Sequence, residues 1–488
     1  MIELKTFVDN YLILTSSLLW INIILAFLLI IFERKNPTST WLWIMVLTFI
    51  PVFGFVLYLF IGQDLSRQRL FKVKKEEESY FRNLAIEQKE QIKDGEFTLK
   101  NPNLYVYEDL IKMHLMNSDA YYTDDNSVEL YFTGEEKFAA LLKSIRAAKR
   151  YIHIQYYIFK NDDIGSEIIE ALKERAEAGL DVKLLLDGMG GRGIRKRAKK
   201  SMEKSGIEIA VFFPPFVPWL NIRINYRNHR KICIVDGEEA FIGGFNIGDE
   251  YLGKSKKFGN WRDTHTKIKG SAVSSLQWRF FLDWRFAAGE EIKSAQSFLH
   301  DEGEDDNVGV QIVSSGPDSK WPSIKDGYMK MISDSRDKLY IETPYFIPDE
   351  SIFEALRLAG LSGVDVRVMI PNKPDHPFVY WASMSYVGDL LEAGVKVYTY
   401  DNGFLHSKVM IADSFVSSVG TANLDIRSFR LNFEVNAFIY DEVVNKKLTD
   451  RFLDDLDICT EITMDRYEKR SAYIKFKESI SRLLSPML

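Results

Sequence analysis

Cysteine is scarce: the chain of 488 residues has two, Cys233 and Cys459. Both sit in apolar runs without a second ligand nearby, which excludes a disulfide framework and a cysteine-based zinc site and fits a reducing compartment. A basic surplus is lacking as well. Lys and Arg number 63 against 69 Asp and Glu, for a net charge of −6, so the chain is no polycation built to wrap nucleic acid. Any basic function must be local.

Charge is missing altogether from two long stretches. Residues 11–32, YLILTSSLLWINIILAFLLIIF, contain no charged side chain, and about 20 apolar residues suffice to cross a hydrocarbon core. Glu3 and Asp9 precede the run, which argues against a cleaved signal peptide and for a transmembrane helix. After the loop ERKNPTST comes a second uncharged run, residues 41–62, in which Pro51 and Gly54 permit a kink and Trp41, Trp43 and Tyr58 suit the membrane interfaces. Arg67, Arg69, Lys72, Lys74 and Lys75 follow it, against Arg34 and Lys35 in the loop. The positive-inside rule therefore puts both ends of this hairpin, and everything after residue 62, in the cytoplasm.

The length predicts two or three domains. We read 1–62 as a membrane anchor, 63–130 as a charged helical connector, and the remainder as two copies of one unit, 131–303 and 304–488, with the acidic run DEGEDDN as the seam. In each copy a buried strand (YIHIQYYIF, LYIETPYFI) precedes a helical stretch and a second strand (LDVKLLLDG, VDVRVMIPN). A further helix and strand follow, giving an α/β layered class.

The strongest duplication comes last in each copy. NHRKICIVDGEEAFIGGFN and LHSKVMIADSFVSSVGTAN share one skeleton: His229, Lys231, Asp236, Gly243 and Asn246 align with His406, Lys408, Asp413, Gly420 and Asn423 without a gap. Histidine and lysine two apart on a strand project from one face. Lysine, asparagine and imidazole together make an anion socket, and phosphate is the natural anion. Two facing copies supply two imidazoles, enough for phosphodiester exchange without metal: one attacks phosphorus while the other, protonated, serves the leaving oxygen. Lys231, Lys408, Asn246 and Asn423 would hold the non-bridging oxygens. Gly244, whose missing Cβ lets a ligand approach the backbone, and Thr421, which offers a hydroxyl at the matched position, join the substrate-binding set. A carboxylate must orient each ring, and Asp263 in WRDTHTKIKG and Glu434 in RLNFEVNAFIY are the candidates. Asp236 and Asp413 complete the motif, but five residues of extended strand carry them away from the phosphate, so they are expected to brace the fold. His153 and His265 lack a repeated setting and are read as structural.

The duplicated HxK(x)4D(x)6GGxN and HxK(x)4D(x)6GTxN pattern resembles the phospholipase D superfamily. Two such domains behind a membrane hairpin, with WRDTH, TPYFIPD, GTANLDIRSFRLNFE and the terminal LLSPML, resemble its bacterial cardiolipin synthases. The resemblance implies two tandem phospholipase D-like α-β-α layered domains packed as a pseudo-twofold pair. It implies a phosphatidyl-histidine intermediate formed from one phosphatidylglycerol, loss of glycerol, and attack by the hydroxyl of a second phosphatidylglycerol, with no metal or other cofactor. By similarity His229 would be the nucleophile and His406 the acid and later the base. A multi-pass location in the bacterial inner membrane follows, with phospholipid as substrate, no nucleic acid as partner, and homo-oligomerisation left open.

Other readings compete. A hydrolytic phospholipase D would use the same histidines with water as acceptor; a nuclease is disfavoured by the acidic, anchored chain, and a non-enzymatic scaffold by the intact residues of both motifs. GGRGIRKRAKK at 190–200 suits a solvated helix face or a grip on anionic lipid, FFPPFVPWL at 212–220 suits either acyl chains or the core, and the tail YIKFKESISRLLSPML has helical apolar spacing suited to the domain or to a membrane surface.

Overall fold

In a computed structural model the described residues are 75–214, 226–289, 306–373 and 375–485, with 37–50 and a few positions before residue 60. Most of the first expected span, 11–32, lies outside them, and of the second the described part is largely residues 41–49, within the helix Pro37–Phe49. Among the described residues no helix is long and apolar enough to cross a membrane. Residues 215–220 of the FFPPFVPWL stretch also lie outside them. The chain divides into one unit of residues 1–68 with 215–226 and a second of 69–214 with 227–488. The second carries the chemistry.

Its first half contains strands β1 (Thr123–Tyr131), β2 (Tyr151–Tyr156), β3 (Asp181–Asp187), β4 (Glu208–Phe212), β5 (Ile232–Val235), β6 (Glu239–Gly243) and β7 (His265–Lys269), hydrogen-bonded in the order β4-β3-β2-β5-β6-β7-β1. The second half repeats this with β8 (Val308–Ser315), β9 (Lys338–Glu342), β10 (Asp365–Pro371), β11 (Lys396–Tyr400), β12 (Val409–Ala412), β13 (Val416–Gly420) and β14 (Asn432–Tyr440), in the order β11-β10-β9-β12-β13-β14-β8. Three strands in each half run parallel, β2-β3-β4 and β9-β10-β11. Every residue of β2 is buried, as expected of a strand covered by helices on both faces. His153 lies there, hydrogen-bonded to Gln277 at 2.9 Å and stacked on Phe280, and His265 is buried at the head of β7.

The halves join where β1 pairs antiparallel with β8, Thr123 opposite Val310 and Asn126 opposite Val308. Equivalent strands meeting antiparallel is what a twofold between the halves produces. Strand β1 begins within the stretch read from sequence as connector. Residues 97–111 of that stretch are also built into the fold: Phe97, Leu99, Leu104, Tyr107, Leu110 and Ile111 share one hydrophobic core with β9, β10 and β12 of the second half. Its apolar residues are spread over a short helix, a 3-10 turn and a strand edge, so no single period shows in the sequence.

Candidate active site

The two motif aspartates hold the base of the site. Asp236 follows β5 with a left-handed φ of 56°, and its carboxylate accepts from the backbone N–H groups of Lys149, Arg150 and Tyr151 at 2.7–2.9 Å. Asp413 follows β12 with φ 46° and accepts from Arg336, Asp337 and Lys338 at 2.9–3.2 Å. Both pin a hairpin to the start of the neighbouring strand, and neither lines the cavity described below.

Each histidine is placed by the opposite half. Arg227–Asn228 pairs in parallel with Asn432–Phe433, and Phe404–Leu405 with Trp261–Arg262. The ladder continues one step: the His229 N–H donates to the Phe433 carbonyl at 3.0 Å and the His406 N–H to the Arg262 carbonyl at 2.7 Å. The residue after each of those carbonyls is Glu434 or Asp263, so backbone register alone delivers a carboxylate to each ring. Nδ1 of His229 donates to Glu434, whose two oxygens lie at 3.0 Å, and Nδ1 of His406 donates to Asp263 Oδ2 at 2.6 Å. The Thr421 hydroxyl and the Asn432 amide also donate to Glu434, at 2.5 and 3.1 Å, and the Thr264 N–H donates to Asp263 at 2.8 Å. Both carboxylates are fully buried and fully partnered, as buried charge must be.

These contacts relocate two residues assigned above to the substrate. At Gly244 a Cβ would lie 1.9 Å from Asp263 Oδ1, so the absent side chain makes room for the carboxylate that orients His406. The Thr421 hydroxyl is spent on Glu434, and its carbonyl lies 3.1 Å from His229 Nδ1. Both residues position the histidine pairs, and neither is on the cavity wall.

Lys231 and Lys408 are buried behind the rings, each ammonium donating to the carbonyl of its own histidine, Lys231 at 2.6 Å. They are not among the lining residues. Burial lowers their pKa values to about 7 for Lys231 and about 8 for Lys408. Burial likewise depresses both imidazoles, helped at His406 by Lys408 and opposed by the carboxylates. Asp263 and Glu434 feel burial pushing upward, but the neighbouring imidazoles and lysines outweigh it and hold both below the usual carboxylate range. The unliganded site thus favours neutral rings hydrogen-bonded to carboxylates.

His229 and His406 open into one cavity of about 570 Å³ between the halves, and Asn246 and Asn423 line it with them. Asn246 Oδ1 accepts from the Ile158 N–H at 3.1 Å. The wall also carries Arg227, Arg427, Tyr157, Tyr345 and Asp425, which sequence reasoning did not single out. Arg227 stands two residues before His229 on the same run, so the alternation that linked His229 to Lys231 could have found it. Tyr157, whose ring lies 5.0 Å from that of His229, follows the buried strand β2 and carried no signal of its own.

The family described as "Cardiolipin synthase, PLD-like domain" matches residues 141–259 and 328–456, one match per half. The chain belongs to the phospholipase D-like cardiolipin synthase family. A "Phospholipase_D-nuclease N-terminal" family matches residues 20–63. A cardiolipin synthase of Staphylococcus aureus is 50% identical over 469 residues, 96% of this chain and 95% of the relative. The major cardiolipin synthase of Bacillus subtilis is 49% identical over 477 residues, 98% of this chain and 99% of the relative. Among solved structures, a phosphatidylserine synthase of Haemophilus influenzae superposes with a TM-score of 0.60 at 14% identity, covering 78% of this chain and all of that one, a likeness of fold.

Proposed function

We propose that the chain is a phosphatidyltransferase that joins two phosphatidylglycerol molecules into cardiolipin and glycerol. The observation that carries this reading is the pair of histidines on one cavity, each with Nδ1 held by a buried carboxylate. With Nδ1 engaged, Nε2 is the nitrogen offered to substrate. His229 Nε2 attacks phosphorus and forms the N–P bond as the P–O bond to glycerol breaks, the leaving oxygen taking a proton from His406. His406, now neutral, removes the proton from the hydroxyl of a second phosphatidylglycerol, whose oxygen displaces His229. Burial favours the neutral nucleophile, and an anionic phosphodiester entering between the rings favours the protonated acid. Asn246 and Asn423 supply amide donors at the wall, and Lys231 and Lys408 lend positive charge from beneath.

An N-terminal membrane hairpin over 11–62, with the two catalytic domains on the cytoplasmic side, belongs to the same reading. It rests on the uncharged runs, the basic residues that follow them, and the cardiolipin synthases to which the chain is similar over nearly all its length. The test uses purified protein in phosphatidylglycerol vesicles with a chelator present, read by lipid mass spectrometry. Dimeric phospholipid with stoichiometric glycerol is expected. Phosphatidic acid as the main product would make the protein a hydrolase, and turnover that required added divalent metal would sink the two-histidine mechanism.

A further inference from the structure

The last described helix, Ala472–Leu483, is built the wrong way round for a water-facing surface. Its exposed side carries Tyr473, Phe476, Ile480 and Leu483, at 66, 62, 40 and 77% exposure. Spacings of three, four and three place these four on one stripe about 80° wide at 100° per residue. The side turned inward buries polar groups, Glu478, Ser481 and Ser485, around the half-buried Ile474, and Arg470 pairs with Glu478 at 3.1 Å. An ordinary surface helix has the opposite arrangement. Basic side chains flank the stripe, Lys477 on one edge with its ammonium 4.2 Å from the Tyr473 ring centre, exposed Lys475 and Arg482 on the other.

The helix packs along Pro377–Ser385, with the Lys477 ammonium near the Trp381 ring and Arg482 donating to the Ser385 carbonyl at 3.3 Å. That second helix reaches the site. His376 and Val379, around its first turn, line the catalytic cavity, while Phe378 between them points outward at 56% exposure. The helix that carries the apolar stripe thus packs on the helix that lines the cavity and exposes Phe378 beside its mouth.

We propose that this helix pair is a membrane-docking face that seats the cavity mouth against an anionic bilayer. Apolar side chains flanked by lysine and arginine match an interfacial helix, the chains entering the acyl boundary and the cations meeting lipid phosphates. The inverted burial stands without the reading of the cavity; that reading adds only that lipid arriving there would be substrate.

The test places an environment-sensitive fluorophore on F476C in the full chain, reconstituted into vesicles of phosphatidylglycerol and phosphatidylcholine. R146C, on a half-exposed arginine of the first half, serves as control, and the labelled parent chain serves as blank for Cys459. The 476 probe is expected to be quenched by doxyl-labelled lipid and shielded from iodide, with the 146 probe showing the reverse. Iodide quenching equal to that at 146 overturns the proposal, and so does protection from both quenchers, which would mean that protein covers the stripe. Substituting Tyr473, Phe476, Ile480 and Leu483 together by Ser should lower turnover on vesicles about tenfold or more while sparing a short-chain soluble substrate; equal loss on both overturns it. Lipid quenching at 476 in a protein that forms no cardiolipin would leave the docking face standing and refute the reading of the cavity.

Discussion

Asp263 lies 143 residues before His406 and in the other half of the molecule, yet accepts its Nδ1 hydrogen bond at 2.6 Å. Glu434 reciprocates for His229. If His406 is the acid, D263N removes the group that holds its tautomer and supports its charge, and turnover should fall on the order of 10³–10⁴-fold. The loss should shrink sharply for a phosphodiester with a p-nitrophenol leaving group, which departs without a proton. E434Q and H229N should gain nothing from that substrate. Rescue of the Glu434 variant instead would exchange the roles of the two histidines.

Gly244 tests how tightly the orienting contact is fitted. The Cβ of G244A would fall on Asp263 Oδ1, so the carboxylate must swing away, and displacement of a catalytic group by about 1 Å can cost about 10²-fold in rate. Steady-state assays should show kcat reduced with KM little changed. An unchanged kcat would mean that Asp263 has room to yield.

The motif aspartates should behave differently from the histidines. D236A leaves three backbone donors, that of Tyr151 buried, without their acceptor, and removes the hydrogen-bonding side chain that suits an aspartate to a positive φ, a loss of about 1–3 kcal/mol. Thermal unfolding should shift downward while the folded fraction retains most of its turnover. Loss of turnover with an unchanged melting temperature would put Asp236 in the chemistry.

Lys231 and Lys408 give the site a pH signature. Burial holds their pKa values near 7 and 8, and a bound phosphate or vanadate dianion raises both. Above about pH 8 the empty site is largely deprotonated at these lysines, so anion binding must take up protons, and affinity should fall as pH rises further. Calorimetry in buffers of different ionisation enthalpy at pH 9 measures this directly. Heats independent of buffer would show that the lysines do not respond to the ligand.

Much of this was legible in the sequence because the duplication is written in spacing. The matched skeletons of 228–246 and 405–423, the strand-helix alternation and the two orienting carboxylates all follow from residue type and period. The exchange of carboxylates between halves does not, because it arises from two-residue ladders that form only when one copy packs on the other. Gly244 misled for a related reason. A missing Cβ marks close approach, but the sequence does not say whether ligand or protein does the approaching. The stretch 63–130 read as connector because its apolar residues between 97 and 122 serve several different elements in turn.

The short ladders Phe404–Leu405 with Trp261–Arg262 and Arg227–Asn228 with Asn432–Phe433 make the duplication mutually dependent. Neither copy owns a complete acid-base dyad, so cutting the chain at the seam would yield two inert fragments even if each folded. Drift in one copy is likewise checked by its twin, because a slip of one residue along either ladder misaims an imidazole that the other half encodes.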